Sequence, residues 1–282
     1  MGAALQAVLI GLLVAAAGTL PRNLLFLANL RFHPEVPWAV PIAGLYIWLF
    51  WRYLDGTGPP GETSQTRRLA LRARSLPLRL WAWSLLAGTL GIVSLVVALG
   101  LLNQFVSLPV QSAPELAALP PFTAIAMLLA AAPIAGVVEE SAFRGYMQGP
   151  IEQRYGPVIA ILITGTAFAI AHLDFTLILW PYYIAVAAIY GTVTSLTRSI
   201  LPAIVLHTGG NLYSNFDLWM SGRAEWQAGA ASVRDMQGAT ASGPRVALLL
   251  VLLAMTVWAY WRLAKAATAN PGPGSSAAPR NP

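Results

Sequence analysis

The stretch LAALPPFTAIAMLLAAAPIAGVVEESAFR, residues 116–144, decides how the rest of the chain is read. It runs without a charge from residue 116 to 138, then places Glu139 and Glu140 side by side and Arg144 four residues after the second. A membrane-crossing helix needs roughly 17–25 apolar residues, so the run is long enough to span. Similar uncharged runs lie on both sides of it, at 1–21, 36–51, 80–114, 155–171, 175–197, 199–216 (interrupted only by His207) and 246–261. The two shortest runs carry aromatics suited to the membrane interface, Trp48 and Trp51 in one, Trp258 and Trp261 in the other. The chain is 57% hydrophobic and 10% charged, against about 25% charged residues in soluble domains. These runs predict an all-α, polytopic transmembrane helical bundle of about eight spans.

Charge placement gives the topology. The net charge is +6, and every basic residue is Arg except Lys265. With loops alternating from an inside N-terminus, Arg52, Arg67, Arg68, Arg72, Arg74, Arg79, Arg144, Arg154, Arg198, Arg262, Lys265 and Arg280 fall inside. Only Arg22, Arg31, Arg223, Arg234 and Arg245 fall outside. That asymmetry predicts a multi-pass protein of the plasma membrane with both termini cytoplasmic, and it argues against nucleic acid as a partner. Membrane lipid and a peptide or membrane-protein substrate are the expected partners. Small residues near Ala15–Ala17 suggest the end of a signal peptide, but no Lys or Arg precedes them, so a retained first span is expected. With no cysteine in the chain, disulfides and thiolate chemistry are excluded.

The organisation follows from these runs. Residues 1–119 hold the N-terminal helices and a basic loop, 120–219 the core that carries the polar motifs, 220–265 an outer loop and the last span, and 266–282 a disordered tail. Asp55–Thr66 should be irregular, and Arg67–Leu80 reads as a positive-inside signal ahead of a short basic helix on anionic lipid. Pro109, Pro114, Pro120 and Pro121 break the chain between the third and fourth spans.

Carboxylates beside an apolar helix are costly, about 2.5–3.5 kcal/mol each near its centre. Glu140 and Arg144 share a helical face and should pair. Glu139 points about 100° away and, on that geometry, cannot serve the same partner. It is left as the free carboxylate. Tyr155-Gly156-Pro157 reads as a tight connection, which places Glu139 and His172 at similar depth on antiparallel helices. Phe168 and His172 share a face, as do His207 and Asn211. Gly209 and Gly210 permit close approach of a backbone or substrate. Trp180, Tyr182 and Tyr183 read as an interface belt rather than a stacking site. Asp174 reads as a loop cap, and His33 as an ordinary loop residue.

The segments Glu139-Glu140-Ser141-Ala142-Phe143-Arg144, Phe168-Ala169-Ile170-Ala171-His172 and His207-Thr208-Gly209-Gly210-Asn211 together resemble the CPBP family. These are the CAAX proteases and bacteriocin-processing enzymes, also called type II CAAX prenyl endopeptidases; some relatives carry the label "abortive infection". The resemblance covers residues 120–215, with its core in the fourth, fifth and seventh spans. It implies an intramembrane endopeptidase, with Glu139 activating water, His172 holding that water, and His207 and Asn211 stabilising the oxyanion. Glu140, Arg144 and Phe168 would support them.

No cofactor is required on this reading. The family is often labelled metalloprotease, and Glu139, His172 and His207 are the ligands expected if zinc takes part. The His-Glu-x-x-His signature of zinc proteases and the Gly-x-Ser-x-Gly elbow of serine hydrolases are both missing from the chain. Two other functions compete: a non-enzymatic immunity or peptide-binding protein, and a proton-coupled transporter. The first would not need a free base. The second expects repeated halves that the sequence lacks.

Overall fold

The computed structural model describes residues 2–106, 119–172, 177–222 and 242–269. Among these the secondary structure is helical, without strands. The helices are α1 (Ala3–Phe32), α2 (Ala39–Leu54), α3 (Ser64–Leu71), α4 (Leu78–Leu102), α5 (Pro121–Glu139), α6 (Gln148–Tyr155), α7 (Pro157–Ala171), α8 (Trp180–Thr197), α9 (Leu201–Ser221) and α10 (Ser242–Thr268). A π-helical stretch, Glu140–Met147, joins α5 to α6 without a break. The continuous rod Pro121–Tyr155 is one of five segments long and apolar enough to cross a membrane, with α1, α4, α8 and α10. The apolar helices α2 and α7 are shorter. Each predicted run therefore contains a helix, while among the described residues only five segments are long and apolar enough to span, against the eight expected.

Proline and glycine punctuate the chain as their backbones require. Pro121 and Pro157 open helices where a missing N–H costs nothing. Gly156 holds φ +80 between α6 and α7, a conformation that disfavours other residues. The segment Gly149-Pro150 lies inside α6 and does not interrupt the rod.

Three expectations are corrected. First, α1 does not end at the uncharged limit of residue 21; it passes through Pro21 and Arg22 to Phe32. Arg22 is thus a helix residue, not a loop residue. Second, the stretch Asp55–Thr66 is not irregular throughout: a 3-10 turn covers Gly61–Thr63 and α3 begins at Ser64. That helix runs to Leu71, and Arg67 in it is buried, donating to the carbonyls of Tyr53, Gly58 (2.6 Å) and Pro60 (2.7 Å). Both Nη groups of the guanidinium are satisfied by the three carbonyls, which folds the loop back onto the bundle. Third, the chain past residue 265 remains helical to Thr268. Pro109, Pro114, Asp174, Arg223, Arg234 and Arg280 lie outside the described residues.

Packing centres on the Pro121–Tyr155 rod. Antiparallel α1 crosses it through glycines: a Cβ on Gly18 would sit 2.4 Å from Val138 Cγ1, and one on Gly11 would sit 2.7 Å from Met147 Cβ. On another face α5 packs against α9, where a Cβ on Gly136 would approach Thr208 Oγ1 to 2.5 Å. Gly136, not Gly209 or Gly210, provides the close approach between these helices. Nothing lies within 4 Å of a Cβ built on Gly209.

Candidate active site

Glu139 is the last residue of α5 and Glu140 the first of the π-helical stretch. π-Turns widen a helix and recur at functional sites. Between the two carboxylates lies the His207 ring, brought in by α9. Its Nδ1 donates to Glu140 Oε1 at 2.7 Å, and its Nε2 lies 3.7 Å from Glu139 Oε2. The two glutamates therefore do share a partner, contrary to the 100° argument. An imidazole carries nitrogens on opposite edges, so one ring reaches two divergent carboxylates.

The deeper carboxylate is fully enclosed. Glu140 is 0% exposed and Arg144 1%, with Arg144 Nη1 3.1 Å from Glu140 Oε1. This is the pair expected from their spacing. The guanidinium lies over the rings of Phe168 (4.8 Å) and Tyr190 (5.4 Å). Those cation–π contacts replace part of the hydration Arg144 gives up. Tyr190 also stacks on His207, with ring centroids 5.2 Å apart and planes 18° apart. The second imidazole nitrogen is thus aimed by a charge on one edge and an aromatic face beside it.

Glu139 is the more accessible acid, 23% exposed at its side chain. His172 caps the C-terminus of α7 and is exposed; its Nδ1 donates to the Phe168 carbonyl at 2.8 Å. That bond leaves Nε2 for other partners. The ring contacts Phe168 (centroids 4.5 Å apart) and stacks on Tyr183 (4.2 Å). Phe168 in turn lies 6.3 Å from the His207 ring, so it links the two imidazoles. Asn211 follows His207 by one turn of α9 and is half-buried. Among the described residues no hydrogen bond or ion pair joins His172 or Asn211 to Glu139.

Two aromatics and one cation escaped the sequence reading. Tyr183 is buried and stacks on a site imidazole, so it is not an interface-belt residue. Tyr190 was unmarked, although it sits seven residues after Tyr183 on the same face of α8, a spacing that could have flagged both. Arg22 comes within electrostatic reach of Glu139, and its Nε is buried without a hydrogen-bond partner.

The metal alternative finds no donor set: among the described residues, no three His, Asp or Glu side chains converge on a point that an ion could occupy. His207 commits Nδ1 to Glu140 and keeps Nε2 beside Glu139, while His172 commits Nδ1 to a carbonyl and does not join them as a third donor.

These features define a class first: a multi-pass helical membrane protein with an acid–imidazole site enclosed between its helices. Residues 121–213 then match the family model described as Type II CAAX prenyl endopeptidase Rce1-like. The matched stretch runs from the start of α5 into α9 and contains Glu139, Glu140, Arg144, Phe168, His172, His207 and Asn211. Over that stretch the chain is similar to the CPBP/CAAX-protease family, the resemblance that the three motifs carry. No curated protein and no solved structure matches the chain.

Proposed function

We propose that the chain is an intramembrane endopeptidase that hydrolyses peptide bonds of membrane-associated substrates by glutamate-activated water. The observation that carries this reading is His207 held between Glu139 at 3.7 Å and the buried Glu140 at 2.7 Å. A buried carboxylate and an aromatic stack fix the ring, so its Nε2 is preorganised beside the accessible acid. Such preorganisation is what electrostatic catalysis requires.

Glu139 takes a proton from water, and the hydroxide attacks the scissile carbonyl carbon. His172 Nε2 helps hold that water. Negative charge gathers on the carbonyl oxygen, where His207 Nε2–H and the Asn211 amide donate. Glu139 then passes its proton to the leaving amine as the C–N bond breaks. Glu140 and Arg144 act on the chemistry by holding His207. The open space at Gly209 gives a substrate backbone room beside both donors. Substrates suited to such a site are CAAX-type tails, bacteriocin-like peptides or segments of other membrane proteins. Orientation with both termini cytoplasmic in the plasma membrane accords with the arginine asymmetry.

The test is cleavage of a membrane-peptide library by protein reconstituted in liposomes. Glu139→Gln should reduce the rate about 10²–10⁴-fold, the usual contribution of a general base. Unchanged cleavage in that variant, or none by wild type, would refute the reading. A chelator arm with metal analysis separates the two chemistries: cleavage that persists in metal-free protein supports carboxylate-activated water, and cleavage that disappears and returns with zinc overturns it.

A further inference from the structure

A second polar site lies at the other end of the Glu139–Tyr155 segment and takes no part in the proposed chemistry. After α3 the chain turns at Arg72, a non-glycine residue at φ 59, and then runs beside the start of α9. There the Arg72 carbonyl accepts from Ile200 N–H at 3.1 Å, and the Arg74 carbonyl accepts from Ser199 Oγ–H at 2.7 Å. Opposite, the Arg72 guanidinium pairs with Glu152 of α6 at 2.9 Å. Between these walls is an open cavity of about 1090 Å³ whose lining includes Arg68, Arg72, Arg74, Arg198, Asp55 and Glu152.

The charges in this cavity do not balance. Glu152 is taken by Arg72 and by Ser195 Oγ–H at 2.7 Å. Asp55 Oδ1 is used within its own turn, accepting from Thr57 N–H at 2.8 Å and Thr57 Oγ1–H at 2.7 Å. Arg68 donates to the Asp55 carbonyl at 3.2 Å. Arg74 keeps a buried Nε with no hydrogen-bond partner, and Arg198 has no hydrogen bond or ion pair among the described residues. Two guanidinium groups therefore line one cavity without an anion, an arrangement that a phosphate oxygen set satisfies well.

The level of the cavity indicates the source of that phosphate. Its lining comes from the end of α2, the α6–α7 connection and the α8–α9 turn, all ends of apolar helices, and the end of a spanning helix is where a bundle meets lipid headgroups. Leu69 on its wall is 71% exposed. An apolar side chain bared beside arginine suits an acyl chain attached to the anion. Basic pockets between helices at such a level hold anionic headgroups. We infer that this cavity binds the phosphate of an anionic phospholipid, with Arg74 and Arg198 as its free cationic partners. The inference does not depend on the protease reading.

The experiment uses the full chain in phosphatidylcholine nanodiscs doped with phosphatidylglycerol, with retained lipid read by native mass spectrometry. Inorganic phosphate is titrated in a second arm. Wild type should retain phosphatidylglycerol over phosphatidylcholine. Arg74→Gln and Arg198→Gln should each weaken that preference about fivefold, the effect of one basic residue near a membrane. Arg198 is exposed, so its substitution leaves no buried gap and separates binding from folding. Arg79→Gln, at the start of α4 and outside the cavity lining, should change nothing. An equal loss in Arg79→Gln would reduce the effect to diffuse attraction and overturn the site. No phosphatidylglycerol preference in wild type would overturn it also. Inorganic phosphate binding without lipid preference would overturn the lipid assignment, leaving a soluble phosphate as ligand.

Discussion

Glu140 and Arg144 form an ion pair with almost no access to solvent; without Glu140 the guanidinium has no carboxylate, and without Arg144 the carboxylate keeps only His207. Breaking a buried pair typically costs about 3–5 kcal/mol, because it leaves an uncompensated charge. Arg144→Met should therefore lower the unfolding temperature in detergent sharply. The double variant Glu140→Gln/Arg144→Met should recover part of the loss while leaving His207 without its anchor. Thermal unfolding of the single and double variants measures both effects. Asn211→Ala should behave differently. Asn211 is half-buried and bonded to no other site residue, so its loss should leave the unfolding temperature near wild type. On the proposed mechanism it should lower kcat about 10²–10³-fold, the effect of deleting one oxyanion donor.

At the scale of elements, the position of Glu139 depends on helices that touch through glycine. α1 has no site motif, yet it packs on the rod one residue from Glu139, because Gly18 lets Val138 in. A Cβ at 2.4 Å from a branched side chain forces a shift, and overpacking of this kind costs about 1–3 kcal/mol. Gly18→Ala should therefore lower stability by that order, and adding Val138→Ala should restore much of it. Equal unfolding temperatures for Gly18→Ala and wild type would show that α1 yields without strain. The π-helical stretch acts at the same scale. It carries the rod past two adjacent acids and allows α9 to present one imidazole to both.

The whole molecule is tied at one end by the 55–77 loop and turns at the other between α1 and α2. Asn29 holds that turn, its amide bonding the His33 and Val36 carbonyls while its oxygen accepts from Ala39 N–H. A chain without cysteine makes the orientation directly measurable. On the arginine asymmetry, a membrane-impermeant maleimide applied to intact cells should label His33→Cys but not Glu62→Cys, and lysis should expose the second. The opposite pattern would invert the topology.

Helix content, the approximate limits of most helices and the Glu140–Arg144 pair were legible in the sequence, because each follows from local rules: uncharged length, breaker residues and a four-residue repeat. So were the three motifs, which the family match supports. The sharing of His207 by two glutamates, the stacking of Tyr183 and Tyr190 on the imidazoles, and the inward turn of Arg67 and Arg22 were not. Those depend on how separate helices rotate and how closely they approach, which is set by packing between residues far apart in the chain. Periodicity states which face a side chain occupies; only the assembled bundle determines what that face meets.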